Sequence, residues 1–204
     1  MKILGKRVYI SADYAPNDGD RSVVDVLHQW ASDNYHTIEF TDTARVVSGS
    51  VSSNPNCRPC DLKEEFNKQI NASSIVLFII GDKTADRTAG NTCSRNNDGE
   101  NCSCTPYKQN ANGSTTCKIK GLTTTPGPND DVGEINNYSY LRHEFEQAEK
   151  KNKNIVIVYN SLYKQPSWLP SYMKVYENDA QPFWTKNAWG NKVGNYAFIK
   201  LALG

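Results

Sequence analysis

The chain has 204 residues, of which 38% are hydrophobic, and its 23 Lys and Arg against 22 Asp and Glu give a net charge of +1. This length favours one domain with an elaboration over two full domains, and the low hydrophobic fraction indicates that part of the chain lies outside the core. The near-zero net charge, without a cluster of Lys and Arg, argues against nucleic acid as a partner.

The apolar patterning predicts neither a membrane span nor an export signal. The longest strictly apolar run, residues 75–80, is far shorter than the ~20 residues that a membrane helix needs. Lys6 and Arg7 interrupt the N-terminal stretch where a signal peptide has its apolar region. We therefore expect a cytoplasmic protein without a membrane partner.

The N-terminal part of the chain predicts a strand, a helix and a second strand. Lys6–Ser11 is a short β-prone run that ends in turn-forming residues. Ser22 and Asp25 have the spacing of a capping box, and apolar residues then recur at helical intervals, which predicts a first helix that ends near Asp33. Residues 37–40 predict the second short strand.

A second helix, a buried strand and a long polar segment follow. Asp61 can cap a helix over Leu62–Ile70. Residues 75–80 are apolar without alternation, as in a parallel strand that is buried on both faces. From residue 82 to 137 the chain is rich in Asn, Thr, Gly and Ser, so it cannot form a large core alone. We expect it to be either disordered or pinned by its cysteines.

The remaining chain again alternates between helix and strand. Residues 138–151 place apolar side chains on one helical stripe, and 154–159 predict another buried strand. Residues 181–184 favour a short edge strand, and Val193–Leu203 favour a last helix.

This alternation predicts an α/β protein with an open parallel sheet and right-handed crossovers. Ligands of such sheets bind beyond the carboxyl ends of the strands. In a flavodoxin-like strand order the relevant ends are Ser11–Asp13, after the first strand, and Gly81–Thr84, after the third.

The helix over 138–151 carries the most informative carboxylate. Glu144 flanks the apolar stripe formed by Leu141, Phe145 and Ala148, with Tyr140 one turn earlier on the same flank. A carboxylate at the rim of a core is partly desolvated and can still contact a ligand. The alternative is a solvated Glu on an ordinary helix.

Glycine-rich phosphate-binding patterns and the zinc-protease pattern are absent from the sequence.

Several ordered segments together resemble a known family. They are the first strand Arg7-Val8-Tyr9-Ile10-Ser11 followed by Asp13, the segment from Ile70 to Thr84, the helix pattern Tyr140-x-x-x-Glu144-Phe145-x-x-Ala148, and the strand Ile155–Tyr159. In order and spacing they are similar to the TIR-like domains, especially the ThsB-like bacterial branch of Thoeris anti-phage defence. Tyr140 stands where the family usually has Trp, and the segment before the Glu helix is longer than in most relatives.

The resemblance implies a flavodoxin-like TIR fold with a central parallel sheet of about five strands and helices on both faces. Residues 1–204 would form a single TIR-like domain, with 84–137 as a Cys-containing insertion. The implied activity is cleavage of NAD, with release of nicotinamide and formation of a cyclic ADP-ribose-type signal that activates a partner effector. Catalysis of this kind requires no cofactor, and self-assembly through TIR surfaces is also implied.

The same resemblance assigns roles to five residues. Glu144 corresponds to the catalytic Glu. Four further residues are expected to contact the substrate: Ser11, Asp13, Thr84 and Tyr140. For Ser11 and Thr84, ordinary strand-end and turn chemistry is the alternative.

Six cysteines suggest a second kind of site. Cys57-x-x-Cys60 together with Cys102-x-Cys104 has enough thiolates for a structural zinc ion that would pin the long polar segment. Disulfides or free thiols are the alternatives, although a reducing cytosol disfavours disulfides.

Two other functions compete with NAD cleavage. One is a TIR-like interaction module that has lost catalysis. The other is a nucleoside glycosidase or transferase on a similar fold, which would also place one Glu at a ribose.

Overall fold

The secondary structure forms an alternating α/β arrangement. The computed structural model describes residues 6–15, 17, 19–33, 35–36, 40–42, 58–87, 108–109, 115–116 and 139–203. The strands are β1 Lys6–Ser11, β2 Phe40–Asp42, β3 Ile75–Ile80, β4 Lys108–Gln109, β5 Thr115–Thr116, β6 Asn154–Tyr159, β7 Gln181–Pro182, β8 Trp184–Lys186 and β9 Lys192–Gly194. The helices are α1 Arg21–Ser32, α2 Arg58–Ala72, α3 Tyr140–Lys150 and α4 Tyr196–Leu203.

A parallel sheet lies at the centre of the fold. Its strand order is β2-β1-β3-β6, and the two-residue β7 pairs with the carboxyl end of β6. All of these pairings are parallel. The predicted α/β class with a central parallel sheet is therefore confirmed, and the strand order is compatible with a flavodoxin-like arrangement.

Among the described elements, two helices pack against each face of the sheet. All six residues of β3 are buried, and they alternate between the two faces because side chains in a strand point to opposite sides. On one face Ile75, Leu77 and Ile79 share a core with α1 and α4. On the other face Val76, Phe78 and Ile80 share a core with α2 and α3.

Two predicted helix starts are wrong. The first helix begins at Arg21, so Asp20 and not Ser22 occupies the N-cap position, and the carboxylate of Asp20 makes no capping hydrogen bond. The second helix runs over Arg58–Ala72, which places Asp61 inside its first turns instead of at its cap. Capping-box spacing alone does not fix a helix start, because the backbone can enter the helix one or more residues before the residue with that spacing.

The short elements of the fold are displaced from their predicted positions. The second strand is Phe40–Asp42, and residues 37–39 lie outside the described residues. The predicted edge strand at 181–184 divides into β7, which joins the sheet, and the start of a separate antiparallel hairpin of β8 and β9. Strand β9 occupies the start of the predicted last helix, which begins only at Tyr196.

Most of the predicted insertion, residues 84–137, lies outside the described residues. The described parts are the turn at 84–87 and the small antiparallel pair of β4 and β5.

Within the ranges that the structure describes, every helix is too short or too polar to cross a bilayer.

The central position of β3 predicts a large difference between buried and exposed leucines. Leu77 is fully buried, whereas Leu201 on α4 is 84% exposed. Leu77→Ala is expected to lower the free energy of unfolding by about 2–5 kcal/mol, and Leu201→Ala by less than about 0.5 kcal/mol. Urea denaturation of both variants measures this, and equal losses would contradict the assigned core.

Candidate active site

A cavity of about 510 Å³ opens at the carboxyl ends of β1 and β3, on the side of the sheet that α2 and α3 cover. Its size lies within the range of roughly 300–1,000 Å³ that is common for small-molecule sites. Strand β1 and its loop, α2, the turn after β3, and α3 all contribute to the wall. The lining residues are Tyr9, Ile10, Ser11, Ala12, Asp13, Tyr14, Leu62, Phe66, Thr84, Arg87, Tyr140, Leu141 and Glu144.

Helix α3 carries Glu144 to this cavity. The helix begins after Ser139, whose side chain accepts a hydrogen bond from the backbone N–H of Arg142. Leu141 and Phe145 anchor the helix in the core. Glu144 lies between these two positions and is therefore only 7% exposed, although it lines the cavity.

Two hydroxyl groups from β1 hold the Glu144 carboxylate. The Tyr9 hydroxyl donates to Oε1 at 2.8 Å, and the Ser11 hydroxyl donates to Oε2. Tyr9 and Ser11 are two residues apart on a strand, so their side chains lie on the same face, toward α3. Both are buried. The two hydrogen bonds therefore fix the orientation of the carboxylate against the sheet.

Burial changes the acidity of this group. Loss of hydration raises the pKa of Glu144 from 4.5 to about 7, although the hydrogen bonds from Ser11 and Tyr9 act in the opposite direction. The pKa of Tyr9 is raised well above its ordinary value, chiefly by burial and then by the neighbouring Glu144 charge. Tyr9 thus remains a donor at neutral pH, and Glu144 titrates within the physiological range.

A second buried carboxylate, Asp20, ties together the ends of three strands. It accepts hydrogen bonds from the Thr84 hydroxyl at 2.6 Å, the Asn160 amide at 2.9 Å and the Asp13 backbone N–H at 3.3 Å. Burial raises the pKa of Asp20, and these donors lower it. Any Cβ at Gly81 would lie 2.5 Å from Asp20 Oδ1, so the close packing of this network requires glycine there.

An ion pair lies in the cavity wall beside this network. Asp13 Oδ2 accepts a hydrogen bond from Arg87 Nε at 2.7 Å. The other carboxylate oxygen of Asp13 accepts from the backbone N–H of Ala15 at 3.0 Å. The Asp13 side chain is therefore engaged within the protein.

Aromatic rings form the wall next to Glu144. Phe66 packs edge-on against Tyr9, with ring centroids 6.4 Å apart, and edge-on against Tyr140, at 5.7 Å. Tyr140 is half-buried and lines the cavity. Such edge-to-face packing favours a fixed apolar wall.

The five residues predicted from the sequence as catalytic or substrate-binding all line this cavity. They are Ser11, Asp13, Thr84, Tyr140 and Glu144. Their expected roles in substrate binding remain predictions. Ser11 contacts Glu144, and the hydroxyl protons of Ser11 and Thr84 are both directed at carboxylates of the protein. In this arrangement Thr84 supports the loops instead of offering its proton to the cavity.

Four residues of the site are not predicted from the sequence: Tyr9, Phe66, Arg87 and Asp20. Tyr9 was detectable, because the two-residue period of a strand places it on the same face as Ser11. The other three depend on contacts between distant segments, and nothing in their local sequence marks them.

The predicted zinc site cannot be placed on the structure. Cys57, Cys102 and Cys104 lie outside the described residues, and of Cys60 only the helical backbone in α2 is described. Among the residues that are described, no group of three or more His, Cys, Asp or Glu side chains is arranged to hold a metal ion.

Comparison with protein-family models, with curated proteins and with solved structures finds no match for the chain. The cavity and its chemistry are therefore the basis on which function is inferred. They consist of a buried carboxylate that titrates near neutral pH, an aromatic wall and an ion pair at the carboxyl edge of a parallel sheet. Perturbed acids in such cavities are frequent features of catalytic sites.

The raised pKa of Glu144 predicts that this residue makes the protein less stable at and above neutral pH than in mild acid. Its ordinary value of 4.5 lies below its folded value of about 7, so the neutral form is favoured on folding, and stability is lost as the pH rises from 4.5 to 7. The loss corresponds to roughly 3 kcal/mol. Glu144→Gln is therefore expected to unfold at a higher temperature than the wild type at pH 8, with a smaller difference at pH 5. Thermal unfolding at both pH values measures this, and a difference independent of pH would contradict a buried ionisable Glu144.

The Asp20 network predicts a specific requirement for a hydroxyl group at residue 84. Thr84 donates to Asp20 and also accepts a hydrogen bond from the Gly81 backbone N–H at 2.8 Å. Thr84→Val leaves the Asp20 carboxylate and the Gly81 backbone N–H without the hydroxyl as a hydrogen-bond partner. It is expected to lower the free energy of unfolding by about 1–3 kcal/mol. Thr84→Ser keeps the hydroxyl and is the matched control with a smaller loss. Equal losses for the two variants in urea denaturation would show that the Thr84 hydroxyl contributes nothing to stability.

Proposed function

We propose that the chain is a TIR-like, NAD-cleaving enzyme of Thoeris-like bacterial anti-phage immunity, with Glu144 as its catalytic residue. The observation that carries the proposal is the Glu144 carboxylate, buried in the wall of the cavity and held by two hydroxyl groups of β1. Its position beyond the strand ends is where ligands of open parallel sheets bind. The resemblance of the first strand and the Glu helix to TIR-like domains supports the same assignment.

The cleavage step needs little from the protein. The bond between ribose C1′ and the nicotinamide nitrogen breaks, and its electron pair neutralises the positively charged pyridinium. Because the leaving group departs neutral, it needs no proton from a general acid. Positive charge develops instead on the ribose, as in glycoside hydrolysis.

Glu144 is suited to stabilise this charge. A carboxylate held in place before the reaction acts strongly in a site with little water. The hydroxyls of Tyr9 and Ser11 each occupy one lone pair of the carboxylate oxygens, so each oxygen retains capacity for the ribose. Ionised Glu144 is the active form in this mechanism.

The identity of the nucleophile decides the product. A water molecule that bonds to C1′ and releases a proton gives ADP-ribose. A ribose hydroxyl or an adenine nitrogen of the same molecule gives a cyclic product when water is kept away from C1′. The aromatic wall of Phe66 and Tyr140 beside Glu144 is suited to that exclusion. We propose the cyclic product as a signal for a partner effector in the cytoplasm, with self-assembly through TIR surfaces as a further property.

Measurement of nicotinamide release tests this function. The purified chain is mixed with NAD at high protein concentration and in lysate from phage-infected cells, and the product mass is determined. Glu144→Gln is expected to lower turnover by about a hundredfold or more, since it removes the charge that stabilises the ribose. Glu146→Gln is the matched control, because Glu146 lies on the same helix, is 41% exposed and pairs with Arg142.

Each contrary outcome has a distinct meaning. Full turnover by Glu144→Gln would contradict the catalytic assignment. No nicotinamide release by the wild type under either condition would contradict NAD cleavage and favour the interaction module. Cleavage of a nucleoside in place of NAD would favour the nucleoside glycosidase.

The same mechanism predicts the pH dependence of NAD cleavage. Because the ionised carboxylate is required, kcat/KM is expected to rise with pH through an apparent pKa near 7. Tyr9→Phe removes a hydrogen bond that lowers the pKa of Glu144. The rising limb of the kcat/KM profile is therefore expected to move to higher pH. Tyr163→Phe is the control, since Tyr163 is 68% exposed. A limb that stays in place or moves to lower pH in Tyr9→Phe would contradict the mechanism.

A further inference from the structure

The charges around the cavity are few and unevenly distributed. Among the lining residues, all of which the structure describes, Arg87 is the single Lys or Arg, and Asp13 and Glu144 are the two acids. Glu144 contacts Tyr9 and Ser11 within the strand, whereas Arg87 contacts Asp13 in the loop that follows. Strand β1 thus holds the Glu144 carboxylate, and the loop after β1 holds the Arg87 guanidinium.

A chain of contacts fixes the orientation of Arg87. Its Nε donates to Asp13 Oδ2 at 2.7 Å. The Asp13 backbone N–H in turn donates to the buried carboxylate of Asp20. The Arg87 side chain is 43% exposed and that of Asp13 only 11%, and both residues line the cavity. This arrangement presents a positioned cation at the cavity wall.

The short step from the end of β1 into its loop relates this cation to Glu144. The Cα atoms of Ser11, beside Glu144, and of Asp13, beside Arg87, are at most ~7 Å apart, because they are two residues apart. In a nucleotide the 5′-phosphate is attached to the ribose ring through the C5′ methylene group and one ester oxygen. A ribose with C1′ at Glu144 therefore has its phosphate about one sugar length away, in the same cavity that Arg87 lines.

We infer that Arg87 binds the 5′-phosphate of the substrate and makes the cavity selective for nicotinamide nucleotides over the corresponding nucleoside. A guanidinium is planar and matches the oxygen atoms of a phosphate, and an acid at its Nε edge holds it in one orientation. This inference rests on the proposed function, since it takes the ribose to lie at Glu144. It adds the residue that recognises the phosphate, and with it the selectivity for NAD or nicotinamide mononucleotide over nicotinamide riboside.

Paired substrates test this inference. Nicotinamide release is measured from NAD and from nicotinamide riboside, which has the same scissile bond and no phosphate. Arg87→Met is expected to lower kcat/KM for NAD about tenfold or more, mainly through KM, and to change that for nicotinamide riboside by less than about twofold. Arg87→Lys keeps the charge, and its kcat/KM for NAD is expected to lie between those of the wild type and Arg87→Met. Arg142→Met is the control, because Arg142 is exposed on α3 and pairs with Glu146.

The outcomes separate phosphate binding from a structural role. Equal losses for both substrates would show that Arg87 only ties the Asp13 loop and would overturn the inference, as would an unchanged KM for NAD. If the wild type cleaves neither substrate, the proposed function fails, and calorimetric titration with ADP-ribose and adenosine then tests Arg87 without catalysis. Binding of ADP-ribose that weakens about tenfold in Arg87→Met, with no such change for adenosine, supports phosphate recognition. Equal affinities for ADP-ribose in wild type and variant, or no binding by either, overturn it.

Discussion

The attachment of Glu144 to β1 is the constraint on which the candidate site depends. A carboxylate that is only 7% exposed needs hydrogen-bond donors, and its donors lie 135 and 133 residues away along the chain, in Tyr9 and Ser11. The cavity therefore exists only when α3 packs across the sheet onto the face that these two residues share. The apolar anchors of α3, such as Leu141 and Phe145, supply that packing, and the two hydroxyls fix the orientation of the acid.

Two buried carboxylates at the same edge of the sheet serve different purposes because their surroundings differ. Asp20 is almost fully buried and receives donors from three separate segments, so its oxygens are used to hold Asp13, Thr84 and Asn160 in place. Glu144 receives two donors and faces the cavity. Environment rather than residue type thus assigns one acid to loop structure and leaves the other accessible to a ligand.

The sequence predicts long, strongly patterned elements well and short or tertiary features poorly. The buried runs of β3 and β6 and the apolar stripe of α3 are encoded locally, so their positions agree with the structure within about two residues. Strand β9 was predicted as the start of a helix because its three residues carry no period of their own. Its Gly194 lies under Trp30, and a Cβ there would come within 2.5 Å of that ring, a constraint that only the folded chain reveals. Similarly, Asp20 precedes a sequence with good capping spacing at Ser22, and its true partners are dispersed over the chain.

The most direct test of the account is a crystal structure of the Glu144→Gln variant with NAD, in which the dinucleotide is bound but not cleaved. NAD is expected to occupy the cavity beyond β1 and β3, with the C1′ atom of the nicotinamide ribose against the side chain at position 144. NAD bound elsewhere on the protein, or in the cavity with its nicotinamide ribose away from position 144, would contradict it.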